Sequence, residues 1–321
     1  MSGLLQFAGL ELVRPTLATG PGPSAAGPLH LAIGMFDGVH LGHQSVIEAA
    51  VQSARRTGGQ AGVLTFWPHP SALFRPDNPT RLIMPGLMKR AVLARLGIDL
   101  VIEQNFSAEF AAVEATDFVP LLRRHLPQLA AIYVGENWRF GRGRKGDVAL
   151  LVEDAHKAGL TVFSAPRLNL DGAPISSSRL RERLAAGDMA GVNAMLGYSY
   201  FTAGVVEQGR KLGRTIGFPT LNLAWEPDLK PRYGVYAVTV KAGDNVPRQG
   251  VANYGLRPTV GTATRPLLEV YLLEAPAPSY GDEITVQWLQ FLRPENKFGS
   301  LDELRAQIEK DRKDARNFFL K

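Results

Sequence analysis

The chain has 321 residues, with 36 Lys and Arg against 30 Asp and Glu and a formal net charge of +6. That length predicts two domains, and 45% hydrophobic residues is ordinary for a globular interior. Cysteine is absent, which excludes disulfides, cysteine-ligated zinc, iron–sulfur clusters and thiol nucleophiles; no apolar stretch approaches the ~20 residues of a membrane span, the start MSGLLQFAGLELVRP does not read as a secretory signal, and the expected location is cytoplasmic.

In chain order, residues 14–28 are rich in Pro, Gly and Ala and read as an irregular lead-in. Strands are expected at 29–34, 61–66, 98–104, 130–135 and 160–166. Helices are expected at 43–58, 85–97, 116–126 and 147–158, from the 3.6-residue apolar period and from glycine stops. Alternating strand and helix predicts an α/β doubly wound, Rossmann-like sheet, mostly parallel. Residues 175–197 read as one or two helices. Beyond Tyr198 the pattern changes to six short strand candidates separated by turns, which predicts a C-terminal antiparallel β-barrel. A terminal helix is expected over 301–320. The predicted domains are 1–182 and 183–321.

The excess of positive charge favours anionic partners. Its basic residues sit in short glycine-bearing clusters, RFGRGRKGD (139–147) and QGRKLGRTIGFP (208–219), rather than in a continuous stripe. That favours small phosphorylated ligands over nucleic acid. MFDGVHLGHQ (35–44) is strand end, tight turn and helix start, at the sheet edge where α/β proteins bind ligands. A helix N-terminus there suits phosphate. His40 and His43, three residues apart, fall on one side of the first turn. From residue type alone, three readings stay open: phosphate handlers, histidines that cap a turn, or an incomplete metal pair.

Other stretches are similarly double-edged. GRGRKG (141–146) is a phosphate-touching loop or a solvated turn. Asn137 offers a donor and an acceptor, and Asp147 caps a helix or acts on a ligand. In ISSSRLR (175–181), Ser176, Ser177 and Ser178 can cap, while Arg179 and Arg181 can reach phosphates. Thr220 and Asn222 offer two oxygens on one strand face, a set magnesium accepts together with phosphate oxygens. Glu269 is a charged residue on a strand, by default a surface position.

These motifs together resemble one family. FDGVHLGHQ (36–44) resembles the signature of nucleotidylyltransferases, in the form found in bacterial bifunctional riboflavin kinase/FAD synthetases. LTFWPHP (64–70), VGENWRFGRGRKGD (134–147), ISSSRLR (175–181), GRKLGRTIGFPTLN (209–222), NYGLRPTVG (253–261), LLEVYLLEA (267–275), FLRPENKF (291–298) and LDELRAQIEKD (301–311) follow in the family's order. Trp138, Ser178 and Leu180 are mild departures. Tyr271, where the family often has histidine, and PAPSYGD (276–282) are larger ones.

The resemblance implies an FMN adenylyltransferase domain followed by a riboflavin kinase domain. It implies His40 and His43 as catalytic groups for adenylyl transfer and Glu269 for phosphorylation. It implies ATP or phosphate contacts from Gly34, Phe36, Asp37, Gly38, Asn137, Arg144, Ser176, Ser177, Ser178 and Arg181, the last four in a mobile loop. In the second domain it implies such contacts from Gly213 and Gly217. Flavin contacts fall on Phe66, Pro68 and Arg257, and Mg2+ with ATP on Thr220 and Asn222. FMN and FAD are then substrate and product rather than prosthetic groups. The expected partners are ATP, riboflavin, FMN and FAD, with no nucleic acid and no membrane. Rival readings are an enzyme retaining one activity, a basic nucleic-acid-binding barrel, and a flavin-responsive regulator without turnover.

Overall fold

The computed structural model describes residues 4–13, 27–209, 217–243, 246–258, 264–274 and 277–320. The expected lead-in, apart from residues 27 and 28, and the cluster at 210–216, which includes Gly213, lie outside them. The side chain of Arg257 also lies outside them. The chain divides into two compact units, residues 1–177 and 178–321.

The first unit contains β1 (Leu5–Phe7), β2 (Leu29–Ile33), α1 (Leu41–Thr57), β3 (Gln60–Trp67), α2 (Pro70–Phe74), α3 (Gly86–Arg95), β4 (Leu100–Asn105), α4 (Ala108–Ala111), α5 (Ala115–His125), β5 (Leu129–Gly135), α6 (Val148–Lys157) and β6 (Thr161–Ala165). A small hairpin, β7 (Asn169–Leu170) and β8 (Ala173–Pro174), follows. Six strands form one sheet in the order β1-β4-β3-β2-β5-β6, and every neighbouring pair is parallel. All five residues of β2 are buried, as a strand covered on both faces requires. Helix α1 lays Val46, Ile47, Ala50 and Ala54 on the sheet, the spacing its sequence period predicts. Gly58 closes it in the left-handed region at φ 66°.

From β2 the chain steps through β3 to β4 on one side, then resumes at β5 on the other. The strand order therefore reverses between β2 and β5. In open α/β sheets the crevice at such a reversal, outside the strands' carboxyl ends, is where ligands bind. The turn after β2 stands there.

The second unit contains most of α7 (Ser177–Ala186), then α8 (Met189–Leu196), β9 (Phe201–Val205), β10 (Thr220–Ala224), β11 (Gly234–Ala242), β12 (Arg248–Pro258), β13 (Thr264–Leu272), β14 (Glu283–Arg293) and α9 (Leu301–Phe319). The strands pair antiparallel in the order β10-β13-β12-β11-β14-β9. A bridge between Glu207 and Asn222 brings the ends together and nearly closes the barrel. Its interior centres on Trp288, whose indole N–H donates to the buried Thr202 hydroxyl at 2.9 Å. Trp225, Tyr236 and Tyr254 stand around it with ring centroids 5.3, 4.6 and 5.6 Å away. Helix α9 is fixed to β14 by a two-pronged ion pair, Arg293 Nε and Nη2 to the Asp311 carboxylate at 2.8 Å each.

Among the described residues, three features escape the sequence reading: β1, the short helices α2 and α4, and the β7–β8 hairpin. Strand β1 has three residues and pairs with β4, some 95 positions away, so no local period marks it.

Candidate functional sites

The first site is built on the turn after β2. Phe36 (φ 48°), Gly38 (φ 82°) and Val39 (φ 37°) all occupy the left-handed region. For a β-branched valine that conformation costs about 1–3 kcal/mol, and such strain concentrates at ligand sites. Buried Asp37 holds the turn by accepting the Ile83 N–H at 2.9 and 3.1 Å. Ser177 Oγ donates to the Asp37 carbonyl at 2.9 Å, joining two motifs 140 residues apart. Ser177 also begins α7, so the stretch expected to be a mobile loop is helical from that residue on.

His40 is the N-cap of α1, and its Nδ1 accepts the His43 backbone N–H at 3.3 Å. The His40 and His43 rings stack, centroids 3.6 Å apart and planes 14° from parallel, with Phe36 edge-on to His43. Burial lowers the His40 pKa to about 4. The ring is thus neutral near pH 7, and because Nδ1 accepts, its proton resides on Nε2. His40 can donate a hydrogen bond to an oxyanion but brings no full charge. This narrows the readings for His40: it caps the turn and, through Nε2, retains a donor for a ligand. Among the described residues no group of three or more His, Cys, Asp or Glu could hold a metal ion.

Phe66, at the end of the neighbouring β3, is half-buried and packs against Phe106 and Phe110 with centroids 6.0 and 5.6 Å away. Trp67 and Phe74 extend this aromatic surface into solvent, and Pro68 follows at its edge. Asn137 is exposed beyond β5 and donates to Glu136. Arg144 is exposed in the turn Arg142–Arg144. Among the described residues no hydrogen bond or ion pair ties Asn137 or Arg144 to the 34–43 turn. Asp147 caps α6, accepting the Leu150 N–H. Ser176 is half-buried and Ser178 exposed, and Arg181 follows on α7 in the second unit.

The second site is assembled across strands. Glu269 on β13 stands opposite Asn222 on β10 and Asn253 on β12, so the three form one row across the sheet. Thr220, two residues before Asn222, stands opposite Tyr271. A pocket of roughly 300 Å³ opens over this face, lined by Thr220, Glu269, Tyr271 and Asn253 and, from the far side, by Glu295 and Arg312. Glu269 is therefore a pocket residue, not a surface one. Asn222 is 6% exposed, and among the described residues its buried Oδ1 has no hydrogen-bond partner. An oxygen in that state costs about 1–3 kcal/mol unless a ligand satisfies it. With Thr220 it is a donor set of the kind magnesium uses when phosphates complete its shell. Gly217 lies just before β10, exposed, at φ 88°.

Two pocket groups escape the sequence reading. Burial raises the Glu295 carboxyl above the usual carboxylate range, against an opposing hydrogen bond with Asn253. Arg312 on α9 lies over the Tyr271 and Phe218 rings at 5.6 and 5.9 Å. Glu295 sits in a quoted motif, but only the fold brings it near Asn253. Arg312 carries no motif signal.

A parallel sheet with a histidine-bearing turn at its reversal point, followed by a barrel whose pocket is lined by a carboxylate and polar side chains, is an arrangement that a two-site nucleotide-dependent transferase can use. Residues 23–179 match the FAD synthetase family and residues 196–319 the riboflavin kinase family. The bifunctional riboflavin kinase/FMN adenylyltransferase of Escherichia coli (strain K12) is 39% identical over 290 residues, covering 90% of this chain and 92% of that one. Its counterpart in Bacillus subtilis (strain 168) is 37% identical over 90% of this chain and 92% of that one. A crystal structure from Streptococcus pneumoniae, described as a macrolide-efflux protein, superposes with a TM-score of 0.82 at 26% identity over 98% of this chain and 99% of that one. Among the described residues no helix is long and apolar enough to cross a membrane. The chain belongs to the bifunctional riboflavin kinase/FMN adenylyltransferase family. It is an enzyme that phosphorylates riboflavin to FMN and adenylylates FMN to FAD, the adenylyltransferase domain preceding the kinase domain.

Proposed function

We propose a division of labour by residue, with adenylyl transfer in residues 1–182 and phosphorylation in 183–321. In the kinase pocket Glu269 accepts the proton of the riboflavin 5′-hydroxyl as that oxygen attacks the ATP γ-phosphorus, and ADP leaves. Thr220 and Asn222 hold the Mg2+ that accompanies ATP, and Gly213 and Gly217 border its phosphates. The ion, when bound, neutralises charge developing on the phosphate oxygens. The observation that carries this assignment is the row Asn222–Glu269–Asn253 across three strands, with an Asn222 oxygen that no described residue pairs.

In the first domain a phosphate oxygen of FMN attacks the α-phosphorus of ATP, and pyrophosphate leaves. No covalent enzyme intermediate is needed; positioning and charge stabilisation suffice. Gly34, Phe36, Asp37 and Gly38 shape the turn, and His40 and His43 offer ring N–H groups to phosphoryl oxygens. Ser176, Ser177, Ser178 and Arg181 hold the β- and γ-phosphates, with Asn137 and Arg144 further contacts. Phe66 and Pro68 receive the flavin of FMN, and Arg257 the flavin in the kinase. The lack of cysteine and the need for ATP accord with the cytoplasm.

The test is one reaction mixture of riboflavin, ATP and Mg2+, with FMN and FAD measured separately. The double variant His40→Ala/His43→Ala is expected to accumulate FMN and make no FAD. Loss of both products from a folded protein would contradict separate sites.

A further inference from the structure

Lys89 is a buried cation that neither reaction, as derived, uses. It lies on α3, 8% exposed. Its Nζ donates to Thr65 Oγ1 at 3.0 Å and lies 3.5 Å from the Met35 carbonyl oxygen. Thr65, fully buried, donates its own hydroxyl to that same carbonyl at 3.1 Å. Thr65 stands opposite Glu103 in the β3–β4 ladder, so the ammonium group overlies the ends of three adjacent strands. Burying an ammonium costs several kcal/mol even after relaxation. Both of its acceptors, the Thr65 hydroxyl and the Met35 carbonyl, are uncharged, and the hydroxyl already serves that carbonyl. A structural staple here needs no charge.

The position of that carbonyl explains what the lysine does. The Met35–Phe36 peptide is trans, since among the described residues the one cis bond is Trp67–Pro68. In a planar trans peptide the N–H points opposite to the C=O. With the Met35 carbonyl drawn inward onto Thr65 and Lys89, the Phe36 N–H is turned away from them. Among the described residues no acceptor pairs with it. It begins a turn in which Phe36, Gly38 and Val39, though not Asp37, are left-handed, the kind of mixed turn whose N–H groups can converge on anions.

We propose that Lys89 is a positioning residue for adenylyl transfer: it holds the Met35 carbonyl inward, which aims the Phe36 N–H at an ATP phosphate, and places positive charge directly behind the turn. Burial lowers the Lys89 pKa below the ordinary lysine value, with Arg90 adding to that, and the Glu103 and Asp37 carboxylates offset it only in part. The proposal rests on the assignment of the 34–43 turn to adenylyl transfer.

The experiment uses the full-length enzyme and measures kcat and KM for ATP in FAD formation from supplied FMN. Riboflavin phosphorylation by the same molecules serves as the internal reference. Lys89→Met keeps the apolar stem and removes the charge. It is expected to lower kcat of FAD formation by roughly 10–100-fold, less than the roughly 10²–10³-fold of removing an oxyanion donor outright because the donor is misaimed and not lost, with phosphorylation within twofold of the parent. Lys89→Arg is expected to recover part of the loss and Thr65→Val to lose less than Lys89→Met, because each retains the cation. A merely structural lysine predicts a lower melting temperature with parental kcat and KM in the folded protein, and that result overturns the proposal. If Lys89→Met loses phosphorylation as well, the arginine variant decides. A folded Lys89→Arg variant whose FAD formation recovers above that of Lys89→Met supports the proposal, and one with no recovery overturns it; a Thr65→Val variant that keeps the cation yet loses as much as Lys89→Met refutes the role of the charge. Retention of FAD formation by the double histidine variant would refute the turn assignment instead, whatever Lys89→Met does.

Discussion

The two catalytic halves place their chemistry in opposite ways. In the first, Gly34 to His43 are contiguous, and one turn plus the first turn of α1 supplies most of the candidate site. In the second, Thr220, Asn222, Asn253, Glu269 and Glu295 come from three strands and the segment after β14, and only strand register makes them neighbours. A contiguous site depends on local backbone conformation, whereas a cross-strand site depends on the whole barrel keeping its register. The two should therefore break under different perturbations.

The largest expected effect isolates chemistry. Glu269→Gln keeps the row across β10, β13 and β12 but cannot accept a proton. FMN formation should fall by roughly 10²–10⁴-fold, the range for removing a general base, while FAD formation from supplied FMN stays at the parental rate. An equal loss of both rates would mean that the halves are not chemically separate. A loss under tenfold would show that Glu269 is not the base.

Next in size is a perturbation of the barrel's frame. Asp311, 4% exposed, is the two-oxygen partner of Arg293. Asp311→Ala leaves a guanidinium largely buried without its carboxylate, which typically costs about 3–5 kcal/mol. Urea denaturation followed by tryptophan fluorescence should show the transition of the second unit moving to lower urea, with FMN formation lost alongside it. A shift below about 1 kcal/mol would show that α9 is held mainly by its apolar contacts, Ala315 and Phe318 among them.

How much was legible from sequence follows the same division. The strand–turn–helix at 29–58 and the paired histidines announce themselves locally, because apolar period and glycine placement act within a dozen residues. The barrel strands were legible as strands for the same reason. What the local signals omit is contact. Nothing near Ser177 indicates that its hydroxyl meets the Asp37 carbonyl, and nothing near Glu295 indicates Asn253. Lys89 was hidden more deeply: nothing in PGLMKRAVLARLG singles it out, yet Met88, Lys89, Val92 and Leu93 are the buried face of α3. Glu269 shows the converse. Its strand position suggested surface, and the barrel's curvature turned that face into a pocket.

A pH experiment addresses the first half alone. The His40 pKa, about 4 in the folded state against about 6.5 unfolded, means that between these values the unfolded chain holds a proton the native ring does not. Stability therefore rises with pH across that window. The contribution is complete above pH 6.5 and is lost as pH falls towards 4, by about 3 kcal/mol in total. His40→Asn keeps a side-chain acceptor at the N-cap and does not titrate. The difference in unfolding free energy between parent and variant should shrink or reverse in the parent's disfavour from pH 7 to pH 4. Parallel pH profiles would show that the native ring protonates freely.

The smallest expected effects come from a matched pair of glycines, which tests whether both halves rely on local backbone form. Gly38 (φ 82°) lies in the contiguous turn, and Gly217 (φ 88°) lies just before β10. Among the described residues a Cβ at Gly217 meets no atom within 4 Å, so Gly217→Ala is expected to carry mainly the backbone penalty of a left-handed alanine, about 1 kcal/mol. At Gly38 the same penalty falls between Phe36 and Val39, both already left-handed, so the added strain is not relaxed by neighbours. Gly38→Ala should therefore lower FAD formation several-fold with FMN formation unchanged. Gly217→Ala should lower FMN formation by less, because its exposed position lets the turn readjust. Equal losses at the two positions would erase the distinction between a site held by one strained turn and a site held by strand register.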